Sequence, residues 1–325
     1  MATVPWQWDP THDVPRDHRG YGPIPLHPHW PREAQICVSF VINYEEGAEY
    51  SVLNGDAHSE SYLCEIVGGA SRHQARNTNI ESEYDYGSRA GIWRLLRVFE
   101  QANVKGTVYG VGKALELNPE VSAKCGGMGW EVGCHGWRWI DYFDVPAEDE
   151  RADLERCVDV ITAQTGSAPR GWYIGRLSPR SYTLLHEIYA ERKLPLLWLS
   201  DSYADDLPYW KVQPEALGGE ATGSPPLIIP YSLDTNDFKY MMPNNWSSPD
   251  DFFGYLKGAF DELYAEGVEG SPKMMSIGLH ARISGRPGRI GAVRRFVEYV
   301  KSKSGVWIAT REEIATHWAD VHPSG

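Results

Sequence analysis

Side chains that can transfer protons recur at the ends of apolar segments along this chain. Glu45 follows the first of these segments, and His135 and His280 follow two later ones. Histidine titrates near neutral pH, and a carboxylate can share with it the work of general acid and general base. These three residues are therefore the candidate catalytic residues of a reaction that needs a general acid and a general base.

Other polar and aromatic residues follow segments of the same kind. They include Asn43, Tyr173, Arg176, Asp201 and Arg282, with Tyr231 and Asp234 near a further segment end. The carboxyl ends of parallel strands meet on one face of an α/β barrel, where barrel enzymes place their active sites. We therefore expect these side chains to converge, although helix N-caps at strand exits produce a weaker version of the same pattern.

Strand alternation adds orientation to these positions. The side chains of Asn43 and Glu45 fall on one face of the first segment, and that of Glu46 falls on the other. His280 shares a face with Ser276, opposite the apolar residues of its own segment. We expect His280 to point into the barrel mouth and Glu46 to form a structural ion pair.

Segments of strand length alternate with segments of helical periodicity. The predicted strands are Ile36–Ile42, Gly106–Val111, Glu131–Cys134, Gly171–Ile174, Leu196–Leu199, Leu227–Tyr231, Met274–Leu279 and Val306–Ala309. The predicted helices are Ser88–Gln101, Asp149–Thr165, Ser181–Arg192, Pro249–Glu266, Ile290–Lys303 and Arg311–Trp318. This alternation predicts a parallel sheet. Without a GxGxxG or GxxxxGK[ST] motif, it favours an α/β fold of the (β/α) barrel type over a dinucleotide-binding fold.

We predict a single barrel domain with long inserted loops. Residues 1–35 carry Pro, His and Trp without periodicity and are expected to form an extended N-terminal arm, and residues 36–325 form the barrel. Two segments interrupt the alternation, the polar stretch 47–86 and the stretch 201–248, which is rich in Asp, Pro, Tyr and Asn. Loops this long inside a domain are usually functional.

The composition narrows the range of partners. The net charge of −13 disfavours nucleic acid and anionic membranes and leaves a small-molecule substrate as the expected partner. No apolar run could span a bilayer, and the polar N-terminal stretch is unlike a secretory signal, so we expect a cytoplasmic protein. The five cysteines lack CxxC spacing and are expected to be reduced. The 13 Trp and 18 Tyr residues suit either a pocket for a small polar ligand or a Trp-rich core.

At these residues the chain resembles the polysaccharide deacetylase superfamily, the NodB-homology fold of carbohydrate esterase family 4. The family's first motif corresponds to Phe40–Gly47, the second to Cys134–Trp139, the third to Ala168–Tyr173 and the last to Gly278–His280. The match runs from about Ile36 to Trp318, and the order of the motifs is specific. The resemblance implies a distorted (β/α) barrel that hydrolyses amide bonds.

The chain departs from the family pattern where the family's metalloenzymes bind zinc through one Asp and two His. Trp139 stands at the second His position, and Asn43, Glu45 and Glu46 stand at the Asp positions. A catalytic metal site takes about three protein ligands, and Glu45 or Glu46 with His135 supplies two. The resemblance therefore implies no cofactor, with Trp139 filling the metal's space and walling the pocket. One divalent metal such as zinc, with an unusual ligand set, is the alternative.

This combination is similar to the metal-independent allantoinase branch of the superfamily. The matching strings are Asn43–Gly47, Tyr86–Gly91, His135–Gly136 with Arg138–Tyr142, Gly171–Tyr173 with Gly175–Arg176, Asp201–Trp210, Leu233–Asp237, and Leu279–His280 with Gly285–Arg289. Fungal and bacterial sequences named polysaccharide deacetylases share parts of this set, so the resemblance leaves the substrate open. It also implies a homo-oligomer, either a dimer or a tetramer.

Opening a cyclic amide without a metal needs a base for water, a stabiliser for the oxyanion and a proton for the leaving nitrogen. We expect Glu45 to be the base, with its pKa raised by enclosure among aromatic side chains. His280 would then be the acid. His135 would handle a second proton or bind the oxyanion.

The substrate-binding roles complete this hypothesis. Paired N–H donors of Arg176 and Arg282 would clamp carbonyl or ureido oxygens. Asp201 would hold one of those arginines in place. Asn43, on the same strand face as Glu45, would orient the substrate amide.

Three functions stay open at this point. The first is a metal-free cyclic-amide hydrolase, such as an allantoinase, imidase or hydantoinase. The second is a metal-dependent N-deacetylase of chitin oligosaccharides, against which the missing secretory signal argues. The third is an inactive carbohydrate-binding relative, against which the joint presence of Glu45, His135 and His280 argues.

Overall fold

Short apolar segments form the strands of one curled sheet. The computed structural model describes residues 7–66, 69–211, 225–243 and 245–324. The strands in these ranges are β1 (Ile36–Tyr44), β2 (Thr107–Gly110), β3 (Glu131–Cys134), β4 (Gly171–Trp172), β5 (Trp198–Leu199), β6 (Tyr209–Trp210), β7 (Leu227–Ile228), β8 (Lys273–His280) and β9 (Val306–Ile308). Strands β1 and β8 are buried along their whole length. This burial explains their nearly continuous apolar sequence, because such runs are typical of strands covered on both faces.

The sheet is parallel except at one edge. Its strand order is β6-β7-β5-β4-β3-β2-β1-β8, and β9 pairs with the start of β1. Among the described strands, only β6 and β7 pair in an antiparallel manner. The register sets Asn43 of β1 beside His280 of β8, and Gly110 of β2 beside Cys134 of β3. The carboxyl ends of these strands therefore meet on one face, as predicted.

Contacts outside the strands close the curled sheet beside β8. The Gly278 N–H donates to Thr235 O (3.2 Å from N to O), and Asn236 forms an isolated parallel bridge with Gly278. A Cβ at position 278 would lie 2.2 Å from Asn236 Nδ2, so only glycine allows this approach. The chain is thus a distorted (β/α) barrel, which confirms the predicted fold class.

Helices connect the strands. The described α-helices are α1 (Thr78–Tyr86), α2 (Ile92–Ala102), α3 (Gly112–Leu117), α4 (Glu120–Gly127), α5 (Ala147–Thr165), α6 (Ser181–Glu191), α7 (Pro249–Val268), α8 (Ile290–Lys301) and α9 (Arg311–Val321). The predicted helix Ser88–Gln101 is in fact a π-helical turn, Gly87–Gly91, followed by α2. Helices α1, α3 and α4 and strand β6 were not predicted. Helix α1 is polar and the other three elements are short, so none of them carries a clear apolar period.

The segment before β1 packs against the barrel. Trp30 is buried, and its indole N–H donates to Lys273 O (3.1 Å). Its ring centroid lies 5.5 Å from that of Trp307 and 6.2 Å from that of Trp318. Parts of the predicted arm and of the two predicted insertions lie outside the described residues, namely 1–6, 67–68, 212–224 and 244.

Two further expectations concerned reduced cysteines and the lack of an apolar run long enough to span a bilayer. All five cysteines are free, and Cys37, Cys125, Cys134 and Cys157 are buried. Burial raises the pKa of the Cys37 thiol well above its usual range, so this thiol stays protonated and unreactive. In the ranges that the structure describes, none of the helices has both the length and the apolar character needed to cross a membrane.

Arg311, the first residue of α9, joins the segment after β7 to strand β8, where the barrel closes. Its buried guanidinium donates to the Pro230 carbonyl oxygen (2.7 Å) after β7 and to Ser276 Oγ (2.6 Å) in β8. We predict that Arg311→Leu lowers the free energy of unfolding by about 3 kcal/mol, because three buried oxygens, of Ile229, Pro230 and Ser276, each lose a hydrogen bond from the guanidinium. Urea unfolding measures this loss. Arg295→Leu removes an exposed ion pair, one hydrogen bond to Pro249 O and a contact with the Phe253 ring, and should cost less than about 1 kcal/mol, so equal losses would contradict the bridging role.

Candidate active site

The carboxyl ends of β1 and β8 bring a carboxylate, an imidazole and a guanidinium together. Glu45 Oε2 accepts a hydrogen bond from Arg282 Nη1 (2.7 Å). Glu45 Oε1 lies 3.4 Å from His280 Nε2. All three side chains are buried. The convergence of Glu45, His280 and Arg282 that we predicted from strand ends is therefore present.

His280 is held from behind by Asp237. Asp237 Oδ1 lies 2.7 Å from His280 Nδ1, and Asp237 Oδ2 accepts from the backbone N–H groups of His280 (2.8 Å) and Ser284 (3.1 Å). Burial by itself would lower the pKa of His280, but the carboxylates of Glu45 and Asp237 outweigh it and raise this pKa to about 9. The imidazole is therefore charged at neutral pH, and both of its nitrogens donate.

His135, at the end of β3, faces the same carboxylate. Its Nε2 lies 3.3 Å from Glu45 Oε1, so one carboxylate oxygen contacts both imidazoles. Its ring centroid lies 5.0 Å from that of Tyr173. His135 Nδ1 is buried and has no hydrogen-bond partner within the described ranges. Buried polar atoms are rarely left unpaired, so a bound substrate or water is the expected partner of this nitrogen.

The charge state of Glu45 differs from our prediction. Burial favours the neutral acid, but the Arg282 guanidinium and then the His280 imidazolium outweigh it, and they hold the pKa of Glu45 well below its usual range. The expected rise in this pKa was therefore wrong. The pairing joins residues far apart along the chain, so it becomes visible only in the folded structure.

The guanidinium of Arg282 also contacts aromatic rings. Its Cζ lies 4.3 Å from the ring centroid of Tyr84 and 5.1 Å from that of Trp139. Nη1 donates to Glu45, whereas Nε and Nη2 are buried and have no partner in the described part of the chain. Two N–H donors of a buried cation are therefore available to a substrate carbonyl or an oxyanion.

Arg176 lies at the edge of the site, and Asp201 does not hold it. Arg176 Cζ lies 4.2 Å from the ring centroid of Trp139, and Arg176 Nη2 donates to Trp139 O (2.8 Å). The Asp201 carboxylate accepts from the backbone N–H groups of Ile174 (2.9 Å) and Gly175 (2.5 Å). Our prediction that Asp201 holds an arginine was wrong, because this carboxylate orders the turn after β4. Burial raises the pKa of Asp201 to about 6.

Asn43 and Tyr173 lie deeper in the barrel mouth. Asn43 Nδ2 donates to Tyr231 Oη (2.9 Å) and to Leu279 O (3.2 Å). Both amide hydrogens are thus used within the protein, and the side-chain carbonyl oxygen is the group left for a substrate. The hydroxyl of Tyr173 lies 3.0 Å from that of Tyr203, which anchors this ring beside His135.

Sequence analysis missed Asp237 as a functional residue. Asp237 lies in the string Leu233–Asp237, but we associated Asp234 with this strand end. Asp234 instead contacts Ser232 and Tyr255 in an exposed loop, away from the histidines. Asn236 was the available signal, because asparagine is a common helix N-cap and would have predicted a helix that starts at Asp237. Its side chain does accept from Phe238 N at the start of that short helix.

A divalent cation bound as in the family's metalloenzymes does not fit these side chains. In the family's pattern the ligands are one Asp and two His, and Trp139 stands at the second His position. The Arg282 guanidinium already contacts Glu45, and Trp139 offers no ligand atom. No group of three or more His, Cys, Asp and Glu residues in the described chain is arranged to hold a metal ion.

Comparison with known sequences places this site in a family. The sequence profile described as "Polysaccharide deacetylase" matches residues 73–187. The chain is 43% identical over 305 residues to a protein of Schizosaccharomyces pombe named "Putative polysaccharide deacetylase", covering 93% of this chain and 95% of that relative. The chain belongs to the polysaccharide deacetylase family. It is accordingly an amide hydrolase of that family, an enzyme that acts on carbon–nitrogen bonds.

Two solved structures are similar to this deacetylase-family chain over most of its length. One is a structure of Puue allantoinase, with a TM-score of 0.90 and 45% identity, covering 96% of this chain and 100% of the other. The other is a probable polysaccharide deacetylase from Pseudomonas aeruginosa PAO1, with a TM-score of 0.89 and the same 45% identity and coverage of 96% and 100%. Equal identity to two differently named proteins does not decide the substrate.

The contact between Asp237 and His280 yields the second prediction. We expect Asp237→Asn to lower the pKa of His280 from about 9 by at least about one unit, because a negative charge is removed 2.7 Å from Nδ1. Titration of ¹³C-labelled histidines by NMR measures this pKa. Asp250→Asn, on the exposed start of α7, should leave it unchanged. An unchanged pKa in Asp237→Asn would show that Glu45 alone holds the charge on His280.

Proposed function

We propose that this protein is a metal-independent hydrolase of small cyclic amides, with hydantoin-ring ureides such as allantoin as its substrate class. The observation that carries the proposal is the ionised Glu45, held by Arg282 and facing two imidazoles where a metal would otherwise bind. This arrangement supplies a base, an acid and a cation from side chains alone. The similarity to Puue allantoinase adds support from sequence and fold.

The first step of the proposed reaction is attack of water on the ring carbonyl carbon. Glu45 takes the proton as the new carbon–oxygen bond forms. Its low pKa keeps it ionised at neutral pH but makes it a weak base. The transfer is favoured because the positive charge of Arg282 is drawn at the same time toward the developing oxyanion.

The oxyanion is assigned to the unpartnered donors of Arg282. Nε and Nη2 are buried, so a hydrogen bond to a new negative charge forms there in a medium of low dielectric constant. His135 Nδ1 and the side-chain oxygen of Asn43 are further polar atoms for the amide and ureido groups.

Collapse of the tetrahedral intermediate breaks the carbon–nitrogen bond. The charged His280 donates its Nε2 proton to the leaving nitrogen, and Asp237 stabilises the charged ring before this transfer. The proton on Glu45 then passes to His280 Nε2, because Oε1 and Nε2 are 3.4 Å apart. One water is consumed, the ring opens to an acid and a ureido nitrogen, and both catalytic groups return to their starting states.

The walls of the site suit a flat and polar substrate. The Trp139 ring lies between two guanidinium groups, with Arg176 Cζ at 4.2 Å and Arg282 Cζ at 5.1 Å from its centroid. Arg176 is half-buried and forms no ion pair within the described residues, so its free N–H groups can bind a carbonyl or ureido oxygen. A planar ring with several carbonyl groups matches these surfaces.

Deacetylation of an acetylated sugar oligomer is the second candidate. Both the Schizosaccharomyces pombe relative and the Pseudomonas aeruginosa structure carry polysaccharide deacetylase names. The same base, cation and acid could cleave an acetamide, since the bond type is the same. The two functions are separated by substrate and by the response to metal removal.

The third prediction separates these candidates. We expect enzyme treated with a chelator, with its metal content measured on the same sample, to hydrolyse racemic allantoin at an undiminished rate. Hexameric N-acetylglucosamine should release no acetate under the same conditions. Acetate release that disappears with the metal would contradict the proposal and identify a metal-dependent deacetylase.

The fourth prediction tests the roles of base and acid. We expect Glu45→Gln and His280→Ala each to lower kcat by about 10²–10⁴-fold, the usual contribution of positioned acid–base groups. Wild-type kcat/KM should also fall as the pH rises through about 9, because His280 then loses the proton it must donate. Glu116→Gln and His18→Ala, on the exposed surface, are the matched controls. Near-full activity of either site variant would refute its role.

A further inference from the structure

Glu46 ties together the backbones of two residues of the site. Its Oε2 accepts from the N–H of Glu45 (3.0 Å), and its Oε1 accepts from the N–H of Arg282 (3.2 Å). The ion pair that we predicted for Glu46 is present, with Oε1 3.8 Å from Arg282 Nη1. This separation is longer than the 2.7 Å between Glu45 and Arg282. A single buried carboxylate thus links the end of β1 to the turn after β8.

Gly87 provides the space that Glu46 occupies. A Cβ at position 87 would lie 2.2 Å from Glu46 Oε1 and 2.6 Å from its Cγ and Cδ, which is far inside van der Waals contact. Any other residue at this position would push the carboxylate away from the two N–H groups. Gly87 is the first residue of the π-helical turn between α1 and α2. Such turns occur frequently at functional sites.

The same turn packs closely against the loop that carries Arg282. A Cβ on Gly91, the last residue of the turn, would lie 2.0 Å from the carbonyl oxygen of Ala281. A Cβ on Gly285 would lie 2.1 Å from that oxygen and 2.5 Å from Gly91 Cα. Glycines on both sides therefore allow backbone-to-backbone contact. This contact accounts for Gly91 at the end of the turn and for Gly285 after Arg282.

We propose that Glu46 is a positioning residue that holds Glu45 and Arg282 in register through their backbone N–H groups, in a space that Gly87 keeps open. The proposal rests on the catalytic roles assigned to Glu45 and Arg282 in the proposed function. Glu46 does not contact the reacting atoms. It acts by fixing the separation of a base and a cation that come from opposite ends of the chain.

The hydrogen bonds of Glu46 depend on its charge. An ionised carboxylate accepts from both N–H groups, whereas a neutral acid carries a hydroxyl on one oxygen. Burial, opposed by Arg282 and reinforced by Glu45, raises the pKa of Glu46 to about 7. The other titratable groups that face Glu46 are Tyr44 on its own strand and Glu49 in the turn that follows.

The fifth prediction compares Glu46→Gln, Gly87→Ala and the double variant with wild type in steady-state kinetics. We expect each single change to lower kcat about 10–100-fold with KM changed less than about 3-fold, as displacements of about 1 Å do. The double variant should be no worse than the more damaged single variant, because both changes act through one carboxylate. Gly258→Ala in α7, where a Cβ meets nothing within 4 Å, is the control and should keep wild-type kcat.

The ratio of variant to wild-type activity is measured on whichever substrate wild type hydrolyses. Turnover of acetylated sugar oligomers instead of allantoin would therefore overturn the proposed substrate and still test Glu46. Wild-type kcat in Glu46→Gln, or losses that multiply in the double variant, would overturn the positioning role.

A measurement without any substrate completes the test. In wild type, the backbone amide resonances of Glu45 and Arg282 should titrate together with a midpoint at about 7, since both donate to Glu46. In Glu46→Gln this titration should be absent. Amide shifts that titrate equally in both proteins would show that another group is responsible and would overturn the proposal.

Discussion

A carboxylate removed from water keeps its charge only where the protein surrounds it with positive partners, because the interior solvates ions poorly. Glu45 meets this condition through Arg282 on one oxygen and the charged His280 on the other. The cation on His280 in turn requires Asp237 behind it. Arg282 and His280 thus supply the positive charge that Glu45 and Asp237 need inside the protein. Removing any one of them leaves an uncompensated charge, which makes the cluster a single unit in both stability and chemistry.

The chain departs from the family's metal-binding pattern at this cluster. A guanidinium carries less charge than a divalent ion and does not acidify a bound water as a metal does, so in the proposed function water is activated by a base. It does provide directed N–H donors at fixed angles. The indole face of Trp139 attracts the guanidinium of Arg282 through a cation–π interaction. The same ring offers no lone pair that could bind a metal.

Much of this arrangement was predictable because strand ends in a parallel barrel are ordered by topology. Alternation placed Glu45 on the strand face of Asn43 and turned His280 away from its apolar neighbours, and both residues are in the cluster. What could not be predicted depends on contacts between distant loops. The pairing of Arg282 with Glu45 reverses the expected shift in the carboxyl pKa. Asp201 accepts from backbone N–H groups and, among the described residues, forms no ion pair with an arginine, because the turn after β4 brings the N–H groups of Ile174 and Gly175 within hydrogen-bond distance.

The segment that follows β7 contacts both strand β8 and the imidazole of His280. Thr235 and Asn236 close the barrel against Gly278, and the next residue, Asp237, supports the charged His280. Closure of the fold and support of the charged imidazole therefore come from one short segment. A fluctuation that opens this seam would also move Asp237 away from His280 and so lower the pKa of that imidazole. An insertion here would displace Asp237 or Asn236 from its partner, so this segment tolerates less change in length than a surface loop.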